Sequence, residues 1–92
     1  MCKDNSVLIS AIKVFGEKAQ EEIAIEECAE LIQAISHKHR GRKHNIPEEI
    51  ADVEICLEYL KIINDCYDEV DEIRKQKIER IFKRIKECEF NA

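Results

Sequence analysis

The sequence predicts an all-α fold, a four-helix antiparallel bundle that assembles into a dimer or tetramer. Glycine and proline interrupt helices, and the chain has only 2 Gly and 1 Pro. The composition is 45% hydrophobic and 38% charged, as expected of amphipathic helices. Short connections favour antiparallel neighbours. The 92 residues fit a single domain over residues 1–92, and its modest core makes association between copies a reasonable expectation.

Apolar periodicity predicts helices over residues 6–15, 17–40, 45–64 and 68–87. Asn5 or Ser6 is the expected N-cap of the first helix, because these side chains accept hydrogen bonds from free backbone N–H groups. Gly16 and Gly41 are expected to end the first two helices, since glycine tolerates the left-handed conformation. Pro47 fits the first turn of the third helix, where its missing N–H costs nothing.

Charge and cysteine usage exclude several classes of protein. The formal net charge of −5 disfavours binding to a polynucleotide backbone, which needs a basic face. No apolar run approaches the ~20 residues of a membrane span, and the N-terminus lacks the apolar stretch of a signal peptide. The odd number of cysteines and the absence of a C-x-x-C pair indicate reduced thiols, mostly in the core, in a cytoplasmic protein. The cysteines are Cys2, Cys28, Cys56, Cys66 and Cys88.

The segment EECAE places carboxylates among the apolar residues of the second helix. A helix turns about 100° per residue, so Glu27 falls at roughly 40° from Ile23, between Ile23 and Leu31. Glu30 falls at the edge of this apolar arc, near −20°, and Glu26 flanks it near −60°. Residues three and four apart are neighbours on a helix, so the three acids form one patch.

The segment EEIAD repeats the pattern on the third helix. Taking Ile50 as zero, Glu49 at roughly 260° and Asp52 at roughly 200° both lie within the apolar arc. An ionised carboxylate is costly to bury without a partner, and two facing acidic pairs repel each other. A cation between the pairs removes both penalties. Oxygen ligands favour a hard cation, Mg²⁺ or Mn²⁺.

Two alternatives compete with a site for Mg²⁺ or Mn²⁺. Acidic pairs are common on solvated helix faces, and one such pair alone would favour that explanation. A di-iron bundle requires Glu-x-x-His, and no histidine follows a glutamate at that spacing. A single Fe or Mn ion remains an alternative to Mg²⁺.

The two acid blocks, read as E-E-x-x-E followed by E-x-x-D, resemble the signature of the MazG-like nucleoside triphosphate pyrophosphohydrolases, especially the short bacterial and phage proteins. The flanking segments FGEKAQ, AELIQAI and EEIADVEICLEYLKII are also similar, so that the likeness spans roughly residues 6–85. The resemblance implies hydrolysis of a nucleoside triphosphate to the monophosphate and pyrophosphate, with Mg²⁺ as cofactor. It implies that Glu27, Glu30, Glu49 and Asp52 hold the metal, and that Glu26 either joins them or orients the attacking water.

A triphosphate also needs cationic partners. Lys77 and Arg80 resemble the basic pair on the C-terminal helix of this family, with Lys83 and Arg84 as rivals. Gln20, before the acids, is a candidate contact for the base or sugar. The segment HKHRGRKHN, residues 37–45 and called the basic connection below, is strongly basic. Its residues 38–43 are candidates to contact phosphates, but a solvated loop is the favoured interpretation, because nothing in the sequence fixes their geometry.

The third helix is apolar beyond one face, where Ile55, Tyr59 and Ile62 extend its arc, and Ile25 does the same on the second helix. A single bundle would leave these residues exposed, so we expect them to pack against another copy, as in the dimers and tetramers of the family. Two other functions fit the same residues. One is a non-enzymatic helical interaction module with a structural cation site, and the other is phosphoribosyl-ATP pyrophosphohydrolysis.

Overall fold

The computed structural model describes residues 3–91, with side chains from residue 5 to residue 90. All regular structure within this range is helical, which confirms the all-α prediction. The helices are α1 (Lys3–Phe15), α2 (Glu17–His39), α3 (Ile46–Asn64) and α4 (Tyr67–Asn91). No helix in this range combines the length and the apolar character needed to cross a bilayer.

The internal helix ends follow local chemistry. Gly16 and Gly41 have φ angles of 93° and 71°, as glycine permits after a helix. Pro47 lies in the first turn of α3, where Asn45 is the N-cap residue. Asp65 ends α3 in the left-handed conformation at φ 48°, a role that the sequence analysis did not predict.

The outer ends of the chain are more helical than predicted. The helix α1 begins at Lys3, so Asn5 and Ser6 lie within its first turn and the predicted cap is wrong. The helix α4 continues to Asn91, four residues beyond the prediction, because nothing after Glu87 breaks a helix.

The helices α2 and α3 form the principal packed pair, and α1 rests against both. Among the described residues, α4 contacts α3 alone. The radius of gyration is 17.0 Å, whereas a compact chain of this length has about 12 Å. This difference arises because α4, with 25 residues and a length of about 37 Å, extends away from the other helices.

The single chain therefore has a very small core. Within the described range its buried apolar residues are Ala24, Ala34 and Cys56. Ile32 and Ile35 lie on the apolar arc of α2 that contains Ile23 and Leu31, and Leu57 lies on the apolar arc of α3 that contains Ile50. Amphipathic spacing predicts that both arcs face inward, yet these three residues are substantially exposed. The expectation of a buried arc fails at these positions because α4 does not lie over them.

The cysteines also differ in part from the prediction. Cys28, Cys56, Cys66 and Cys88 are free thiols. Cys56 is buried, Cys66 is partly buried, and Cys28 and Cys88 are exposed, so the interpretation of the cysteines as mainly core residues is wrong. Cys2 lies outside the described residues.

Candidate functional site

Three carboxylates from two helices converge where α2 packs against α3. Glu27 and Glu30 come from successive turns of α2, and Glu49 comes from the first turns of α3. One oxygen of each lies within 4.8 Å of the others. These three side chains are called the acid cluster below.

Two oxygens of the acid cluster are buried and have no hydrogen-bond partner among the described residues. They are Glu27 Oε2 and Glu49 Oε2. Native structures pair nearly all such atoms, because an unpaired buried polar atom carries its full desolvation cost. A cation or a hydrogen-bond donor bound beside these two atoms would therefore offset their desolvation free energy, which no described residue does.

Burial and the neighbouring carboxylates raise the pKa of two acids of the site, Glu27 and Glu49. Burial raises the pKa of Glu27 to about 7, and the charges of Glu30, Asp52 and Glu49 add to this shift. A hydrogen bond that protonated Glu27 makes with Asp52 acts in the same direction. Burial also raises the pKa of Glu49, with the negative charge of Glu30 as the next cause. The site thus holds more negative charge than its surroundings stabilise.

This donor set fits Mg²⁺ or Mn²⁺. All the donors are carboxylate oxygens, which hard cations prefer. The unpaired oxygens of Glu27 and Glu49 are available to coordinate. Asp52 adjoins the acid cluster through Glu27, so the four acids that the family resemblance assigns to the metal lie together.

The other acids of the two motifs lie outside the acid cluster. Glu26 is exposed on α2, at the flank where the helical geometry predicted it. Glu48 is exposed and accepts a hydrogen bond from the side-chain amide of Asn45. Glu48 therefore interacts with the N-cap residue of its own helix.

A cavity of about 430 Å³ opens beside the acid cluster and is called the loop cavity below. One side is a single face of α2, since its residues follow the helical spacing i, i+3, i+4, i+7. They are Glu30, Gln33, Ala34 and His37. The other side is formed by Lys43, His44 and Asn45 of the basic connection, together with Glu49. The cavity therefore combines two carboxylates of the acid cluster with cationic and N–H-bearing side chains.

Backbone hydrogen bonds hold the basic connection in place. The Arg42 N–H donates to the His37 carbonyl at 2.8 Å, and the Gly41 N–H donates to the Lys38 carbonyl at 3.1 Å. These bonds and the left-handed Gly41 turn the chain back over the end of α2. The backbone is thus fixed as far as Arg42, while residues 38–45 are all exposed, as expected of a solvated loop.

A second cavity, of about 160 Å³ and called the Gln20 cavity below, lies on the other side of the acid cluster. Gln20 is only 3% exposed, although an exposed glutamine would be the usual case. The lining of the Gln20 cavity combines apolar, aromatic and acidic side chains. The lining residues are Gln20, Ile23, Glu27, Asp52, Ile55, Cys56 and Tyr59.

Lys77 and Arg80 are exposed on α4 and line neither of these two cavities. The rival pair Lys83 and Arg84 is exposed on the same helix. Because α4 contacts α3 alone, the described chain does not bring these cations to its own acid cluster.

Sequence reasoning did not place several residues beside the acid cluster, and it assigned Tyr59 to an interface between copies. His37 and Gln33 share a helix face with Glu30, and the spacing of three and seven residues was a usable signal. His44 and Tyr59 carry no such signal, because their positions depend on how the basic connection folds back and how α3 packs on α2.

Comparison of the chain with protein-family models, curated proteins and solved structures yields no match.

Proposed function

We propose that this protein is a Mg²⁺-dependent hydrolase that converts a nucleoside or deoxynucleoside triphosphate to the monophosphate and pyrophosphate. The observation that carries the proposal is the acid cluster, which has three convergent carboxylates and two buried oxygens without partners. The likeness of EECAE and EEIAD to the MazG-like signature supports the same reaction. Clearance of unwanted nucleotides is the physiological role that this likeness suggests.

In this reaction Glu27, Glu30, Glu49 and Asp52 hold the cation. Mg²⁺ bound there would neutralise charge on the triphosphate and make a neighbouring water more acidic. The water oxygen bonds to the α-phosphorus as the bond to the α–β bridging oxygen breaks. That oxygen leaves with the pyrophosphate, and the proton of the water reaches solvent. Exposed Glu26, at the flank of the acid cluster, is the candidate to orient this water.

The nucleoside is assigned to the Gln20 cavity. The Gln20 amide offers hydrogen bonds to a base or sugar, and Tyr59 and Ile23 offer ring and apolar surface. The volume of about 160 Å³ falls short of the ~300 Å³ at which small-molecule sites begin. A further surface is therefore needed to complete the nucleoside site.

A second copy of the chain is the proposed source of this surface. Ile23 and Ile55 line the Gln20 cavity and are 39% and 46% exposed in the single chain. The apolar stripe of α4 is about half exposed along its length, and covering it would supply the core that the single chain lacks. The stripe consists of Ile73, Ile78, Ile81, Phe82 and Ile85. A dimer or tetramer of antiparallel helices would also allow Lys77 and Arg80 to reach a neighbouring acid cluster.

The function is tested by pyrophosphate release from a panel of ribo-, deoxy-, oxidised and uracil-bearing triphosphates with Mg²⁺ or Mn²⁺. Glu49→Gln should lower kcat by about 100-fold or more for the accepted substrate. Its fold should be retained or stabilised, because a buried charge has been removed. Glu48→Gln is the matched control and should retain activity, since Glu48 lies outside the acid cluster.

A non-enzymatic interaction module is the second candidate function. The specific observation in its favour is the exposed apolar stripe of α4, which would serve a protein partner equally well. This candidate predicts that no triphosphate in the panel releases pyrophosphate. It also predicts that Glu49→Gln leaves partner binding unchanged.

A further inference from the structure

We infer that the loop cavity binds the two outer phosphates of the substrate, which depart as pyrophosphate, and that Lys43 is the principal contact. The orientation of the substrate in this inference rests on the proposed function. The existence of an anion site rests only on the loop cavity and the side chains that line it. It gives the exposed basic connection a binding role, and it adds a phosphate contact to those that Lys77 and Arg80 of a neighbouring copy would provide.

The distribution of charge in the loop cavity is the first observation. Glu30 and Glu49, which belong to the acid cluster, line the cavity together with His37, Lys43 and His44. Along α2 the cavity runs from Glu30 to His37, seven residues or about 10 Å. A metal-bound polyphosphate has the complementary pattern, since the cation attracts the carboxylates and the uncovered phosphate oxygens attract donors.

The second observation is that these donors have no protein partners among the described residues, and that Lys43 and His44 are exposed, so a ligand can reach both. Lys43 forms no ion pair within the described range. The ion pairs in this range join Lys61 to Glu58 and Lys86 to Glu89. Neither His37 nor His44 makes a side-chain hydrogen bond to a described residue. In a chain with a net charge of −5, three such groups around one cavity favour an anion there.

The third observation is the order of the basic connection. The Arg42 N–H bond to the His37 carbonyl ties the loop to α2. At the other end, the Glu49 N–H donates to the Asn45 carbonyl at 3.1 Å, which starts α3. Lys43 and His44 lie between these two anchors. Their backbone is therefore positioned before a ligand arrives, which lowers the ordering cost of binding.

The two cavities together set the direction of the substrate. The acid cluster lies between the Gln20 cavity and the loop cavity, because Glu27 lines the first and Glu30 and Glu49 line the second. A nucleoside in the Gln20 cavity and outer phosphates in the loop cavity leave the α-phosphate at the acid cluster. Attack at the α-phosphorus forms the new bond to the water oxygen, and pyrophosphate with its bridging oxygen leaves toward Lys43.

Lys43→Ala is the discriminating variant, because an ammonium group binds anions and cannot hold a cation. Arg42→Ala is the matched control, since it removes the same charge from the adjacent residue, which does not line the cavity. The measurement is calorimetric titration of the full-length protein with inorganic pyrophosphate in the presence of Mg²⁺. Lys43→Ala should weaken binding about tenfold, the loss of roughly 1.4 kcal/mol from a charge-assisted hydrogen bond. Arg42→Ala should remain within about twofold of the wild type, and Lys43→Arg should restore most of the affinity.

Equal effects of Lys43→Ala and Arg42→Ala would overturn the inference, because they would indicate general charge attraction. Unchanged binding in Lys43→Ala would overturn it too, and if triphosphate hydrolysis persists the proposed function survives. Conversely, pyrophosphate binding that depends on Lys43 would support the anion site even if no triphosphate is hydrolysed. In that case the proposed function would be wrong and the anion site would stand. Circular dichroism of each variant verifies that the helices are intact.

Discussion

Glu27 on α2 and Glu49 on α3 bring carboxylate oxygens within 4.8 Å of each other, and each side chain keeps one buried oxygen without a hydrogen-bond partner. Neither residue forms an ion pair with a described cation. This relationship is costly for a metal-free protein and favourable for a cation-bound one.

The first prediction concerns the pH dependence of metal-free stability. The pKa of Glu27 is raised from 4.5 to about 7 on folding, so between these values the folded state binds more protons than the unfolded state. Stability should therefore fall as pH rises from about 4.5 to about 7. The melting temperature of Glu27→Gln minus that of the wild type, measured in EDTA, should increase across this window. Saturating Mg²⁺ should remove most of this pH dependence. A melting-temperature difference that does not change with pH in EDTA would contradict the account.

The second prediction concerns the apolar stripe of α4. Ile81→Asp should shift the protein to a smaller species in sedimentation velocity and lower its melting temperature, because it places a charge in the proposed interface. Gln76→Asp makes the same change of charge on the opposite side of the helix and should leave the assembly intact. A wild-type protein that sediments as a monomer at micromolar concentration would exclude the proposed assembly.

The third prediction concerns the junction of α3 and α4. The Tyr67 hydroxyl donates a hydrogen bond of 2.6 Å to Glu58, and Lys61 pairs with the same carboxylate at 3.1 Å. The Tyr67 hydrogen bond, assisted by Lys61, lowers the pKa of Glu58. Tyr67→Phe should cost about 1 kcal/mol in urea unfolding at pH 7.

The pH dependence of this cost provides its check. A lowered folded pKa stabilises the protein above the unfolded value, and the contribution disappears as pH falls through the folded value. The difference between Tyr67→Phe and wild type should therefore shrink toward acid. A difference that stays constant would mean that the carboxylate of Glu58 is not the partner that matters.

The fourth prediction concerns Gly41. Its φ of 71° is unfavourable for a residue with a Cβ, although a methyl group there would meet no atom within 4 Å. Gly41→Ala should therefore destabilise the protein by about 1 kcal/mol through backbone strain alone. If the turn positions Lys43, the same variant should weaken pyrophosphate binding, whereas unchanged binding would show that the loop is positioned in another way.

The sequence predicted the helical segments and the four acids because both depend on local periodicity. Gly16, Gly41 and Pro47 marked their helix ends correctly, since each acts through its own backbone. The start of α1 was missed because Asn5 and Ser6 are acceptable inside a first turn as well as at a cap.

What the sequence could not predict depends on long-range arrangement. The course of α4 away from α2, the return of the basic connection over the loop cavity and the burial of Gln20 follow from packing between helices. Amphipathic spacing identifies an apolar face but does not identify the surface that covers it. The same limit left Ile32 and Leu57 assigned to the interior, although both are exposed in the single chain.

The most direct test of the central claim is hydrolysis of an accepted triphosphate in ¹⁸O-labelled water with Mg²⁺, followed by mass spectrometry of the products. Attack at the α-phosphorus predicts one labelled oxygen in the nucleoside monophosphate and none in the pyrophosphate. Label in pyrophosphate or orthophosphate would contradict the account, as would failure of every triphosphate in the panel to react.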